Sequence, residues 1–283
     1  MSIHFSNSAN QKILSSTHES IEKSQQPLNR EALRDVIDLA LWAGQMLLHY
    51  GAESQRVEET VHRLGTDLGC DWMDILVSPN VIVATTTSGV EFRTKVRRVV
   101  NFAVDMSVIA AVNDLSHRVR SGELDRFGVR KELERIDRMP QQYNRWLVAI
   151  MVGLACAAFS RLFEGDGAVF LVTCIAASVA MLVRQELTLR RFNSFLVVIA
   201  TAFVAGLISS FATVWELGNE PQLTLVASVL LLVPGVSLIN AVEDIIKGHM
   251  VTGIVRAIHG GLISLGIAMG LLIAMGIMGI EGF

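Results

Sequence analysis

Apolar residues are distributed along this chain in two ways, and the pattern changes near residue 140. Before this point they recur at helical or strand spacing among many charged residues. After it they form long runs, each close to the roughly 17–25 residues that a helix needs to cross about 30 Å of hydrocarbon. Five transmembrane helices are therefore predicted in residues 141–283, at Trp146–Phe163, Gly167–Val183, Phe195–Trp215, Leu223–Val242 and Ala257–Ile280.

The first part of the chain predicts a tail followed by a mixed domain. Residues 1–28 are rich in Ser, Gln and Asn and lack the apolar core with a basic flank of a signal peptide, so we expect a disordered tail. Residues 29–140 alternate between helical and strand periods, which is typical of an α+β domain. The predicted elements are a helix from Arg30 to Gly51 capped by Asn29, a helix at Glu53–Leu68, two strands within residues 71–87 with Val81, Val83 and Thr85 in one alternating phase, a strand at Glu91–Lys95, and helices at Arg97–Val119 and Val129–Met139.

Basic residues favour one orientation in the membrane. They precede the first predicted span and occur in the second and fourth loops, whereas the first and third loops and the C-terminal residues contain none. Because cytoplasmic loops are enriched in Lys and Arg, we expect a cytoplasmic N-terminal domain and a periplasmic C-terminus. The predicted fold class is an α-helical integral membrane protein, with five transmembrane helices preceded by a cytoplasmic α+β domain.

Composition agrees with a membrane protein and narrows the chemistry. The chain is 51% apolar and 18% charged, with a net charge of −3 and no basic patch of the kind that binds nucleic acid. Its three cysteines are scattered and form no CxxC or Cys/His cluster. We therefore expect a lipid bilayer as surroundings, no nucleic acid, no metal and no cofactor.

The fourth predicted span is interrupted in its middle by Pro234-Gly235. Proline has no N–H, so the carbonyl of Leu230 loses its helical partner, and glycine lets the backbone leave helical geometry. A second half-helix starting near Val236 would direct a partly positive N-terminus into the membrane, as in transporters that bind anions at broken helices. The alternative is a proline-kinked packing helix whose charges lie in the membrane interface.

Polar residues after the break predict a translocation path. Ser237, Asn240, Asp244 and Lys247 recur at spacings of three and four, which places them on one helical face. Just beyond them, Arg256 and His259 lie one turn apart at the entry of the last span. Ionisable groups within membrane spans are costly and usually face a cavity or a partner.

Our hypothesis for this region is a carboxylate site. Arg256, His259 and the half-helix N-terminus would recognise the carboxylate, while Glu243 or Asp244 would pair with Arg256 or relay protons. Alternatively, Arg256 snorkels to lipid headgroups and His259 bonds a neighbouring carbonyl.

A polar motif also joins the first two predicted helices. Gly51, Glu53 and Glu58 are followed by Arg63, and this group is either a functional motif or a set of capping and solvated residues, the structural role being favoured. Ser54, His62 and Asp67 contain the ingredients of a catalytic triad, but their spacing along one helix would not orient them as one. We therefore predict no enzymatic activity.

Three stretches together resemble the threonine/serine exporter (ThrE) family. They are His49-Tyr-Gly-Ala-Glu-Ser54 with Arg63-Leu-Gly65, Arg145-Trp-Leu-Val-Ala-Ile-Met-Val-Gly153, and Leu230-Leu-Leu-Val-Pro-Gly through Asp244 followed by Lys247-Gly-His249 and Thr252-Gly-Ile-Val-Arg256. The resemblance implies an inner-membrane exporter of small carboxylate metabolites. It is greatest to members that export succinate with a second, smaller membrane subunit, and the absence of an internal repeat among five spans agrees with a divided transporter.

The substrate and the class of function stay open at this point. A dianion such as succinate would suit the half-helix N-terminus with Arg256 and His259, whereas threonine or serine would also require a carboxylate such as Glu243 or Asp244. A different class of protein, a membrane-anchored sensor or enzyme without transport, would have polar residues only at the ends of its spans.

Overall fold

The computed structural model describes residues 27–100, 103–139 and 143–280. These residues form two compact units that divide between Arg138 and Met139. The disordered tail predicted at residues 1–28 lies outside the described residues, except for its last two.

The first unit contains, among its described residues, four helices and one three-stranded sheet. Its first helix begins at the predicted position because the side chain of Asn29 accepts a hydrogen bond from the backbone N–H of Ala32 (2.8 Å), which satisfies one of the free donors of the first turn. The elements are α1 (Arg30–His49), α2 (Ser54–Asp67), β1 (Trp72–Ser78), β2 (Val81–Ser88), β3 (Glu91–Arg98), α3 (Met106–Arg120) and α4 (Arg126–Asp137).

The sheet is antiparallel in the order β1-β2-β3, and α1 and α2 pack on one of its faces. Ile82, Ala84 and Thr86 of β2 point into this core. Val81, Val83 and Thr85, the alternating set named from the sequence, lie on the less buried face of β2. The sequence does not show which face is buried, because β-branched residues occur on both faces of this strand. The opposite face of the sheet carries Trp72, Leu76, Phe92 and Val96, all of them exposed.

The predicted helix at Arg97–Val119 is wrong at its N-terminal end. β3 continues to Arg98, which pairs with Val81, and the helix begins only at Met106. The side chain of Asp105 caps it by accepting a hydrogen bond from the N–H of Ser107 (2.9 Å). Val100 and Val104 fitted a helical period, but they precede the helix and are exposed.

The second unit is helical throughout its regular structure. Its described elements are α5 (Arg145–Leu162), α6 (Gly167–Leu189), α7 (Ser194–Val214), α8 (Gln222–Ser228), a 3₁₀ turn (Leu230–Leu232), α9 (Gly235–Ile246) and α10 (Met250–Met278). α6 continues beyond its predicted end at Val183, and α10 begins before its predicted start at Ala257. Consequently Arg184 is not in a loop, and Arg256 and His259 lie within a helix rather than at its entry.

Several of these helices can cross a membrane. Among the described residues, 4 helices are long and apolar enough to do so, and the count becomes 5 if α8 and α9, which are bent by 61° at the break, form one span. The chain is therefore described as a multi-pass membrane protein. α8 packs among α5, α6 and α7, whereas α9 packs chiefly against α10.

Small residues set the closest helix contacts in the second unit. A Cβ added at Gly270 of α10 would lie 2.5 Å from the carbonyl oxygen of Ile199 and 2.9 Å from the backbone nitrogen of Phe203, both in α7. In the same way, a Cβ at Gly153 would lie 2.6 Å from the carbonyl oxygen of Cys174. Glycine is needed at these positions because the backbones of neighbouring helices touch there.

We predict that Gly270→Ala destabilises the protein. The new methyl group must push α10 away from the α7 backbone, and overpacking of this kind costs about 1–3 kcal/mol. The measurement is the thermal unfolding midpoint of the detergent-solubilised protein. Gly276→Ala on the same helix is the control, since a Cβ there meets nothing within 4 Å. Equal midpoints for the two variants would contradict the close contact.

Candidate functional site

The break in the fourth span is built by local changes in backbone hydrogen bonding. The N–H of Val233 donates to the carbonyl of Leu230 (3.2 Å), so the carbonyl that Pro234 would strand is satisfied by a 3₁₀ bond. The N–H of Gly235 turns back to the carbonyl of Val233 (2.9 Å), and α9 starts with Pro234 at its N-cap position. The break predicted from Pro234 is present, and the half-helix after it begins at Gly235, one residue before the expected start at Val236.

Gly235 contributes space rather than an unusual backbone conformation. It is not among the glycines with positive φ, so the conformational freedom expected of it is not used. A Cβ built on it would meet nothing within 4 Å. The N-terminal end of α9, where backbone N–H groups lack helical partners, is therefore open on this side.

The charged residues after the break form two ion pairs. Arg256 Nη1 lies 2.8 Å from Asp244 Oδ2, with the Asp244 side chain fully buried and the Arg256 side chain 13% exposed. Lys247 Nζ lies 2.6 Å from Glu243 Oε1 at the more exposed end of α9. Arg256 thus has its charge compensated by a carboxylate of this chain.

The other residues predicted for this site lie on the same two helices. Ser237 and Asn240 are half-buried on α9, and His259 is exposed on α10, one turn after Arg256. α10 passes next to the break, since a Cβ at Gly260 would lie 2.6 Å from the Leu238 side chain and 3.8 Å from that of Pro234. The α9–α10 pair therefore carries all of the predicted pathway residues.

Arg184 of α6 contacts the backbone at the break. From the sequence, it counts only among the basic residues that follow the second predicted span. Its Nη1 donates to the carbonyl of Leu231 (3.2 Å), which in a continuous helix would accept from Gly235. The side chain is half-buried. The sequence did contain a pattern that could have indicated this. Thr173, Ala177, Ala180 and Arg184 recur at spacings of four, three and four, which places Arg184 on a helix face whose other residues are small or hydroxylated.

Buried hydroxyl groups tie α8 to α7 on the other side of the break. Ser209 Oγ lies 3.1 Å from the carbonyl oxygen of Thr224 and 3.0 Å from Ser228 Oγ. All three residues are fully buried. Polar side chains in this unit are therefore not confined to the ends of its helices.

The polar motif of the first unit lies at the turn between α1 and α2 and along α2. Gly51 turns the chain with φ +92°, and Glu53 occupies the N-cap position of α2 with Arg56 3.7 Å away. Glu58 Oε1 accepts from the N–H of Val77 (3.4 Å), and Arg63 Nε donates to Ser116 Oγ (2.7 Å). These contacts join α2 to β1 and α3.

Two titratable side chains of the first unit, His62 and Cys70, have well-defined surroundings. His62 Nδ1 lies 2.7 Å from the carbonyl oxygen of Met73, at hydrogen-bond distance. Burial raises the pKa of the Cys70 thiol, which disfavours the reactive thiolate. On the surface, hydrogen bonds from Arg135 lower the pKa of the Glu132 carboxyl group. Within the described residues, no group of His, Cys, Asp and Glu is arranged to hold a metal ion.

Known proteins resemble the chain over both units. The family model described as "Putative threonine/serine exporter" matches residues 38–278. The "Probable succinate transporter subunit YjjP" of Escherichia coli K12 is 39% identical over 259 residues, which covers 90% of this chain and 100% of that protein. The protein of the same name from Klebsiella aerogenes is 40% identical over 253 residues, covering 88% and 96%.

A more distant relative is longer than this chain. The "Probable threonine/serine exporter" of Mycobacterium tuberculosis is 26% identical over 248 residues, which covers 86% of this chain but 46% of that protein. No solved structure matches the chain.

We predict that the Asp244–Arg256 pair is stabilising only as a pair. Asp244→Asn or Arg256→Gln alone would break a buried ion pair, at a cost of about 3–5 kcal/mol. The double variant should be closer to wild type than either single variant, measured by thermal unfolding in detergent. Glu243→Gln, which removes a more exposed pair worth about 0–1 kcal/mol, is the control. Additive single effects would show that the two groups do not interact.

Proposed function

Because the chain belongs to the threonine/serine exporter family, we propose that it is one subunit of an exporter of small carboxylate metabolites. Succinate or a related dicarboxylate is the favoured substrate. The relatives that match 90% and 88% of the chain, at 39% and 40% identity, are named as subunits of a succinate transporter. The relative named as a threonine/serine exporter is 26% identical and matches over about half of its own length.

The observation that carries the transport proposal is the broken span with charged groups on both of its sides. Arg184 bonds a backbone carbonyl before the break, and the Asp244–Arg256 pair lies after it. A helix that only anchors a sensor or an enzyme has no use for such groups, because each is costly within a membrane. The family membership and this arrangement both favour a transporter over an anchored domain.

Export of threonine or serine is the second candidate. The paired charges of Asp244 and Arg256 could receive the ammonium and carboxylate groups of a zwitterion, if each charge exchanged its partner for the substrate. This exchange would separate a buried pair, which is why we favour a substrate that leaves the pair intact.

We propose a second, smaller, YjjB-like membrane subunit as the partner. The E. coli and K. aerogenes relatives carry the word subunit in their names, and the chain corresponds to 46% of the M. tuberculosis protein. In addition, α9 and α10 expose apolar side chains along their outer faces, including Ile239, Ile246, Val251 and Ile258. Helices of a partner would bury part of this surface together with the exposed His259.

The proposed setting is the bacterial inner membrane. With α8 and α9 counted as one span, the described helices allow up to five crossings, and an odd number of crossings would put the two ends of the chain on opposite sides. The distribution of Lys and Arg supports a cytoplasmic first unit and a periplasmic C-terminus. A cytoplasmic substrate would then approach the break from the side of α9 and α10.

We predict that transport requires two subunits. Everted vesicles that contain both this chain and its partner should accumulate labelled succinate in preference to threonine, while vesicles with either subunit alone should not. Equal accumulation by this chain alone would contradict the divided transporter. A preference for threonine would support the second candidate, and accumulation of neither compound at normal protein levels would support the anchored-domain alternative.

We also predict that transport requires the break. Pro234→Ala restores a backbone N–H that can continue the helix, so initial rates of succinate uptake should fall at least about tenfold while the amount of protein in the membrane is unchanged. Pro221→Ala is the matched control, because Pro221 lies at the start of α8 and away from the break. Similar rates for both variants would remove the break from the mechanism.

A further inference from the structure

We propose that Arg184, and not Arg256, is the cation that binds the carboxylate of the substrate. This inference rests on the proposed function and assigns a residue to it. It follows from how the two guanidinium groups are occupied: Arg256 is paired with a buried carboxylate, whereas Arg184 contacts a neutral carbonyl at the break.

The first step is the position of Arg184. Its Nη1 donates to the carbonyl of Leu231, which lacks its helical donor because the N–H of Gly235 bonds to Val233 instead. The guanidinium therefore replaces a backbone group where the span is interrupted. A guanidinium has five N–H donors in a planar fork, so this bond leaves an edge that can receive a carboxylate.

The second step is the balance of charge in the second unit. Arg145 and Arg190 both lie near Glu186, at 3.6 Å and 3.0 Å, and Arg256 lies near Asp244. Among the described residues of this unit, no carboxylate lies within 4.0 Å of Arg184. Arg161 and Arg191 also lack a carboxylate, but they are exposed near helix ends, where water can solvate them.

The third step is the low polarity around Arg184. Ala180, one turn earlier on α6, belongs to a buried apolar cluster with Val229 and Leu232, the residues just before the break. A cation beside such a cluster is poorly solvated, and an anion is the partner that compensates it best. A carboxylate can bind with two parallel hydrogen bonds, which gives both strength and orientation.

Arg256 is the poorer candidate for the same physical reason. To bind a substrate carboxylate it would have to give up its pair with Asp244, whose side chain is fully buried, and breaking a buried pair is costly. Arg184 acquires a counter-charge when the substrate binds and loses none. The substrate class that follows is an anion with at least one carboxylate group, without a requirement for an ammonium group.

The test separates charge from hydrogen bonding at Arg184. Arg184→Gln keeps a donor for the Leu231 carbonyl but removes the charge, and Arg184→Lys keeps the charge without the fork. In vesicles with both subunits, we expect Arg184→Gln to raise the half-saturating succinate concentration at least tenfold and Arg184→Lys to raise it less. Arg190→Gln, at the exposed C-cap position just after the same helix, should stay within about twofold of wild type.

A second measurement does not depend on uptake or on the variants folding. In the wild-type complex in detergent, modification of arginines by phenylglyoxal is mapped by mass spectrometry with and without succinate. Succinate should protect Arg184 and leave Arg190 unprotected.

Two results overturn the inference. The first is an Arg184→Gln complex with the half-saturating concentration of wild type. The second is an Arg184 that reacts equally with and without succinate, or that the reagent never reaches. Failure of the proposed function is a different outcome, namely no uptake by the wild-type pair, and protection of Arg184 is scored independently of it.

Discussion

Backbone hydrogen bonding at Pro234 is the constraint on which the second unit depends. Inside a membrane no water is available to satisfy a carbonyl group that a helix releases, so the protein must supply every donor itself. Here a 3₁₀ bond serves Leu230 and the guanidinium of Arg184 serves Leu231. The long polar side chain of Arg184 on α6 is thus one of the donors that satisfy the broken span.

The same constraint explains the composition of the neighbouring helices. α8 has only a few hydrogen bonds of its own because it is short. The hydroxyl groups of Ser209, Thr224 and Ser228 join it to α7. Gly206 of α7 and Gly270 of α10 let the backbones of these two helices approach closely on another side of α7. Packing and polar bonding are therefore parts of one arrangement around the interrupted helix.

The sequence predicted those features that depend on one residue or on a long repeated pattern. Pro234 alone predicts the break, and Asn29 predicts the start of α1. The apolar runs predict the helices of the second unit, and most helix ends lie within a few residues of the predicted ones. Features that depend on contacts between distant segments were not accessible. Helical and strand periods overlap between Arg97 and Met106, so only pairing of β3 with β2 shows where the strand ends.

Charge alone does not distinguish the surroundings of the two arginines. Arg184 and Arg256 are both arginines near an apolar run, and nothing in their immediate neighbours tells that one bonds a released carbonyl and the other a buried carboxylate. The choice between Glu243 and Asp244 as the partner of Arg256 was also open, because adjacent residues on a helix point in different directions and only the packing against α10 decides between them.

The two halves of the interrupted span have different neighbours. α8 is fixed among α5, α6 and α7, whereas α9 packs chiefly against the first half of α10. The second half of α10 is held to α7 around Gly266 and Gly270. A rocking of α9 about Val233–Gly235 would therefore carry the beginning of α10 with it. The bending would then fall on the stretch after Gly260-Gly261, where α10 changes partner. Such a joint movement of α9 and the first half of α10 would expose the break to one side of the membrane, while α5, α6, α7 and α8 keep their contacts.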